Sequence, residues 1–197
     1  LLFDGADKVI GDRSFGRTPD KIITLARSGA EAMMSMGVTP IIKHIPGHGR
    51  ADVDSHLSLP KVTTTINELR RADFMPFNAL NDMPCAMTAH VIYSDIDENN
   101  CATISKKVIT EIIREELGFK GVLFTDDITM KALNKSAAQN AKDSLTAGCD
   151  LALHCNGDLS DRRAVLEATD DLMSDEYARL KSFFLSADKT TSIDHVK

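Results

Sequence analysis

The chain has 197 residues, 43% of them hydrophobic and 26% charged, with a formal net charge of −6 at pH 7, the makeup of one soluble globular domain. The acidic balance and the lack of any Lys/Arg run exclude attraction to a nucleic-acid backbone or an anionic lipid surface, and no stretch reaches the roughly 20 apolar residues that span a bilayer. Cys85, Cys101, Cys149 and Cys155 lack C-x-x-C spacing and read as free thiols in or near the core.

The start, Leu1-Leu2-Phe3-Asp4, has neither the basic nor the apolar region of a signal peptide, so a cytoplasmic address is expected. It also lacks Met and lies in an apolar run, which suggests a fragment of a longer protein. In chain order, residues 19–36 place Ile22, Ile23, Leu25, Ala26, Ala30, Met33 and Met36 at helical spacing, with Pro19 near the start and Gly37 at the stop. Residues 39–44 read as a buried strand. Thr65-Ile-Asn-Glu68 has the form of a capping box and opens a helical region through Leu80, and residues 84–89 form the next apolar run. A helix over 105–117 closed by Gly118, a strand over 121–125, a helix over 136–147 closed by Gly148 and a strand over 150–154 repeat the pattern. Helices over 160–173 and 175–186 finish the chain.

Strands separated by helices require parallel crossovers, so the fold class is α/β with a parallel sheet. Periodicity alone leaves a doubly wound sheet and a barrel open. Polar residues just past the strands favour the barrel: Lys43-His44, Thr88-Ala89-His90, Asp126-Asp127 and His154-Cys155. Barrel enzymes build their active sites at the C-terminal strand ends. About five strands are legible where a complete (β/α)8 TIM-type barrel has eight. The expectation is therefore a single barrel domain over 1–197 that lacks its N-terminal strands.

Two constellations carry chemistry. Lys43-His44-Ile-Pro-Gly-His48-Gly49, followed by Asp52, Asp54, Ser55 and His56, puts three histidines on one glycine-rich stretch after a strand. Asp54 and His56 lie two apart, so in an extended segment they share a side, and the carboxylate can orient the imidazole as a general acid/base unit. The same residues, with His44, His48 and Asp126 or Asp127, also suit a zinc or manganese site, although no H-E-x-x-H helix is present. Thr125-Asp126-Asp127 ends an apolar strand. A carboxylate there can attack an anomeric carbon if another group protonates the leaving oxygen, while Asp127 is as well suited to capping the next helix. In the loop Gly11-Asp-Arg-Ser-Phe-Gly16, Arg13 offers a fork of donors to a carbonyl, hydroxyl or carboxylate.

Ile10-Gly-Asp-Arg-Ser-Phe-Gly16, Lys43-His-Ile-Pro-Gly-His-Gly49, Asp54-Ser-His56, Met87-Thr-Ala-His90, Thr125-Asp-Asp-Ile-Thr-Met130 and Asp150-Leu-Ala-Leu-His-Cys-Asn-Gly-Asp158 together resemble the bacterial β-N-acetylglucosaminidases of glycoside hydrolase family 3. The resemblance runs over nearly the whole chain. It implies a (β/α) barrel, a retaining hydrolase without metal or cofactor, and a cytoplasmic role in recycling cell-wall fragments. It further implies Asp126 as nucleophile, His56 as acid/base with Asp54 as its partner, and Arg13, Lys43 and His44 as holders of the sugar. His48 is expected to be structural. The family's Asp-Gln-Glu-Gly-Gly-Arg-like sugar-binding segment has no counterpart here, in line with the expected truncation. The implied partner is a small carbohydrate, an N-acetylglucosaminyl muropeptide or chitooligosaccharide, and a monomer is expected. A phosphorylase, a metal-dependent hydrolase and an inactive truncated barrel stay open beside this reading.

Overall fold

The computed structural model describes residues 1–5, 8, 10–51, 53, 58–169 and 180–181. Helix α1, Pro19–Ser35, starts with proline at its first turn, where the missing N–H costs nothing, and buries Ile22 and Ala30. It ends at Gly37, whose φ of 75° turns the chain toward the sheet. Strand β1, Ile41–Ile45, comes next.

Thr65 caps helix α2, Ile66–Arg71, in a reciprocal capping box with Glu68. The helical region expected as one unit through Leu80 is in fact two, with α3 at Met75–Ala79. The break has a local cause: Pro76 supplies no N–H to the preceding turn and disfavours helical backbone just before it. The chain turns there through a bond from Phe74 N–H to the Leu69 carbonyl (2.9 Å).

Strand β3, Cys85–Thr88, is fully buried. It lies between β1 and β5, Val122–Asp127, and β6, Leu151–Leu153, completes a parallel sheet in the order β1-β3-β5-β6. A second, two-stranded parallel ladder not foreseen from sequence joins β2, Lys61–Val62, to β4, Ile92–Tyr93. Two residues per strand are too few for any alternation to register. The helix expected at 105–117 runs from Val108 to Glu116 with π-type turns, after a 3-10 turn at Ala102–Ile104, and buries Val108, Ile109, Ile112 and Ile113.

Ser136 caps α4, Ala137–Ala147, and Gly148 at φ 116° ends it. Helix α5, Leu159–Ala168, opens on a capping box of Asp158 and Asp161. The end of the helix expected to reach residue 173 lies outside the described residues. So does most of the one expected at 175–186, of which residues 180–181 are described as helical.

Successive strand residues alternate between faces, and β5 shows the consequence. Leu123 joins the main core with Ile45, Ala86, Ile113 and Phe119. Val122 packs on the other face with Cys85 and Leu180, against Phe124 and Leu151. Between Phe124 and Asp127 the pairing with β6 is irregular, and Asp126 and Asp127 take different partners there. Beneath the sheet, Asp150 accepts from Arg114 (2.9 Å) and from the Leu123 N–H (2.8 Å), which fixes the base of β5 to the helix before it.

Among the described residues no helix is long and apolar enough to cross a membrane. Cys85, Cys101 and Cys149 are buried as expected, but Cys155 is exposed. It lies past the end of β6, where its backbone N–H donates to Asp127 Oδ1 (3.1 Å).

Candidate active site

The carboxyl ends of β1, β3, β5 and β6 lie along one edge of the parallel sheet, with that of β1 meeting Asp126 and those of β3 and β6 meeting Asp127. At the end of β1 the Lys43–His44 and Ile45–Pro46 peptide bonds are cis, and the pairing register shifts between Lys43 and Ile45. The His44 Nε2 atom comes 3.3 Å from Asp126 Oδ2, both side chains being largely buried. Its ring centroid lies 5.4 Å from that of His48. Burial drives His44 from 6.5 to about 3; Asp126 pulls it back up, and the charges of His48, Lys43 and Arg13 oppose that. His44 is thus a neutral imidazole at physiological pH. It faces Asp126 without adding a positive charge to the site. Burial also lowers His48, which feels Asp126, Arg13 and His90.

The loop after β1 is clamped from outside. The Tyr93 hydroxyl donates to the Gly47 carbonyl, and Arg50 Nε donates to buried Asp73 (2.8 Å) while stacking over Phe3 at 3.9 Å. Gly47 has φ 147°, and a Cβ there would lie 3.0 Å from that of Asp73. A side chain at Gly49 would strike the Leu1 carbonyl. These contacts explain the glycines of this stretch by close approach of backbone.

Asp126 Oδ1 accepts from the Asp127 N–H (2.9 Å), so one carboxylate oxygen is tied and the other faces His44. Asp127 itself is a cross-loop pin. Its Oδ1 accepts from the Thr129 and Cys155 amides (3.0 and 3.1 Å), and its Oδ2 from the Thr129 hydroxyl (2.7 Å) and Asn156 Nδ2 (3.0 Å). Burial is the largest single influence on its carboxyl and pushes it up. The bonds from Thr129, Cys155 and Asn156 together outweigh that and hold it below the usual carboxylate range.

Of the residues singled out from sequence, Lys43, His44 and Asp126 come together, and the charge of exposed Arg13 reaches both His44 and His48. Asp54 and His56 lie outside the described residues. Among the described residues no group of three or more His, Cys, Asp or Glu side chains is arranged to hold a metal ion. Sequence reasoning missed Thr103, Thr129 and Asn156, single polar residues without a spacing signature. It also missed the Tyr93 and Asp73 contacts behind the loop.

A parallel β/α scaffold with a carboxylic residue beside a buried histidine at its strand ends defines the class: a barrel-type scaffold with a strand-end acid. The chain belongs to glycosyl hydrolase family 3, matching its N-terminal domain over residues 4–180. A beta-hexosaminidase of Alkalilimnicola ehrlichii is 41% identical over 156 residues, 77% of this chain and 44% of that protein. One from Idiomarina loihiensis is 36% identical over 200 residues, 100% of this chain and 60% of that protein. The family 3 β-N-acetylglucosaminidase of a Paenibacillus species superposes with a TM-score of 0.85 at 28% identity, over 96% of this chain and 38% of that one. NagZ of Neisseria gonorrhoeae, solved with N-trifluoroacetyl-D-glucosamine, gives 0.79 at 35% identity, over 92% and 54%. The chain spans about half the length of the curated relatives it matches. The fold is that of the TIM-type (β/α)8 barrel, of which the described residues hold four wall strands.

Proposed function

We propose that the chain is the catalytic barrel of a retaining hydrolase that removes terminal non-reducing β-linked N-acetylglucosamine, with Asp126 as nucleophile and the His56/Asp54 pair as acid/base. The observation that carries this reading is the setting of Asp126. One oxygen is tied by a backbone amide, and the other lies 3.3 Å from an imidazole that stays neutral. Such a carboxylate presents one fixed oxygen to an electrophile. In the first step Asp126 attacks the anomeric carbon while His56 gives its proton to the leaving oxygen. In the second, neutral His56 takes a proton from water, which releases the sugar from Asp126. Lys43, His44 and Arg13 hold the sugar hydroxyls. The names of the relatives support N-acetylhexosamine as the sugar. Muropeptides from peptidoglycan are the proposed natural substrates, the cytoplasm the proposed compartment and a monomer the proposed state.

The test is hydrolysis of a chromogenic N-acetyl-β-glucosaminide by this chain beside its Asp126→Ala variant, with and without inorganic phosphate. Turnover lost in the variant and indifferent to phosphate is the expected result. Turnover that needs phosphate and yields the sugar 1-phosphate makes the enzyme a phosphorylase. Turnover that survives the substitution removes Asp126 from the mechanism.

A further inference from the structure

His90 lies just past the end of β3 and is fully buried, as are Thr88 and Thr103 around it. Its Nε2 atom is 3.0 Å from the backbone carbonyl of Asp127, and its Nδ1 atom is 2.7 Å from the hydroxyl of Thr103. That hydroxyl also lies 2.8 Å from the hydroxyl of Thr88 and 3.1 Å from the carbonyl of Ala89. A carbonyl only accepts, so the ring must carry a proton on Nε2. The Thr103 hydroxyl has one proton, for which His90 Nδ1 and the Ala89 carbonyl compete, so Thr103 bridges the ring to the backbone after β3. The contacts run from β3 through the 3-10 turn at Ala102–Ile104 to the peptide after Asp127.

Asp127 is the residue that matters for the nucleophile. Its N–H, in the peptide after Asp126, ties Asp126 Oδ1 (2.9 Å), its side chain is held by donors from Thr129, Cys155 and Asn156, and its carbonyl, in the following peptide, meets His90 Nε2 (3.0 Å) and accepts from the Met130 N–H (3.1 Å). Three handles thus fix one residue, and through it the rotation of the Asp126 carboxylate. His90 is the only one of these contacts that links β5 to the end of β3 among the bonds described at Asp127.

We propose that His90 is a positioning residue: by holding the carbonyl of Asp127 it fixes the backbone of that residue, whose N–H sets which Asp126 oxygen is tied and which is presented to the sugar. The assignment rests on the reading of Asp126 as nucleophile. It touches neither substrate nor reacting atoms, so its effect belongs in kcat rather than in KM, since a misplaced nucleophile slows the step without loosening the sugar.

Three variants test it. His90→Phe keeps a planar ring and removes both ring nitrogens. His90→Gln restores a donor toward the Asp127 carbonyl. Thr103→Val keeps the shape of its side chain and removes the hydroxyl that meets Nδ1, Thr88 and the Ala89 carbonyl, which keeps the inference testable if His90→Phe fails to fold. With a chromogenic N-acetyl-β-glucosaminide, His90→Phe is expected to lower kcat by roughly 10- to 100-fold with KM within about 3-fold of the parent. His90→Gln recovers most of that loss, and Thr103→Val lowers kcat in the same direction but less. A second readout needs no turnover: hydrogen exchange at the Asp127 amide, followed by NMR, is expected to speed up in His90→Phe and Thr103→Val and to stay slow in His90→Gln.

Unchanged kcat and unchanged Asp127 exchange in a folded His90→Phe or Thr103→Val variant overturn the assignment, even if the thermal midpoint falls. A loss in KM alone, or a His90→Gln variant as impaired as His90→Phe, overturns it as well. If the parent chain does not turn over, or Asp126→Ala is as active as the parent, it is the hydrolase reading that fails. The Asp127 exchange then decides by itself whether His90 fixes the backbone of this residue.

Discussion

Replacing Asp127 by Asn keeps the volume of the side chain and removes one acceptor oxygen together with the charge. Four donors point at the carboxylate, two at each oxygen, and the residue is 7% exposed. An amide has a single acceptor oxygen. If that oxygen keeps the Thr129 and Cys155 amides, the new NH2 group faces the Thr129 hydroxyl, which can turn to accept, and Asn156 Nδ2, which cannot. The two retained bonds lose their charge assistance. Bonds to a charged group contribute about 1.5–3 kcal/mol each, and a frustrated buried donor costs about 1–3 kcal/mol. The expected destabilisation is therefore about 2–4 kcal/mol at pH 7, read as a shift in the urea midpoint at unchanged slope.

The pH dependence sharpens the test. The folded Asp127 carboxyl is held below its ordinary 3.8. Its contribution is therefore present above that value and is lost as pH falls through the depressed folded value. The gap between parent and Asp127→Asn should be constant from pH 7 to 5 and narrow only below about pH 4. A gap under about 0.5 kcal/mol at pH 7, or one that narrows between pH 7 and 5, would refute the pin.

The same geometry yields further outcomes. Asp126→Ala is expected to reduce turnover of the chromogenic glycoside by at least about a thousandfold while leaving the urea midpoint close to the parent's. In the parent, mass spectrometry of a trapped glycosyl adduct should locate the sugar on the peptide that carries residue 126. Because burial holds His44 near 3 against an ordinary 6.5, the unfolded chain takes up a proton there that the folded one refuses. That group makes stability rise with pH between those values, by up to about 1.4 kcal/mol per pH unit. His44→Gln should flatten this part of the curve, and urea titrations at pH 4.5 to 7.5 compare the two slopes. Gly121→Ala places a Cβ 2.5 Å from the Pro84 carbonyl and 2.7 Å from the Met83 carbonyl and the Phe119 ring. Two of these neighbours are backbone and cannot swing aside, so a loss of about 1–3 kcal/mol is expected in thermal unfolding.

Local chemistry by itself determined several elements. Ser136 and Gly148 bound α4 because a cap side chain and a left-handed glycine are decided within one turn. Thr65 and Glu68 open α2 for the same reason. Strand β5 was legible from its apolar run, and its terminal carboxylates from their position, since a parallel strand buried on both faces has no other place for charge. The resemblance of the loops to family 3 named Asp126, Lys43, His44 and Arg13 before any distance was available.

Only the tertiary structure decided which neighbour each polar side chain meets. Asp126 and Asp127 are adjacent and chemically identical, and period-two alternation says that they diverge without saying which way. An irregular register between Phe124 and Asp127 interrupts that alternation, and the fold leaves Asp126 beside His44 and hands Asp127 to Thr129, Cys155 and Asn156. His44 is neutral because burial outweighs the attraction of Asp126, a balance that no spacing contains. His90 reads in sequence as one more polar residue past a strand. Its grip on the Asp127 carbonyl exists because β3 and β5 are paired in parallel, a contact between residues 37 positions apart.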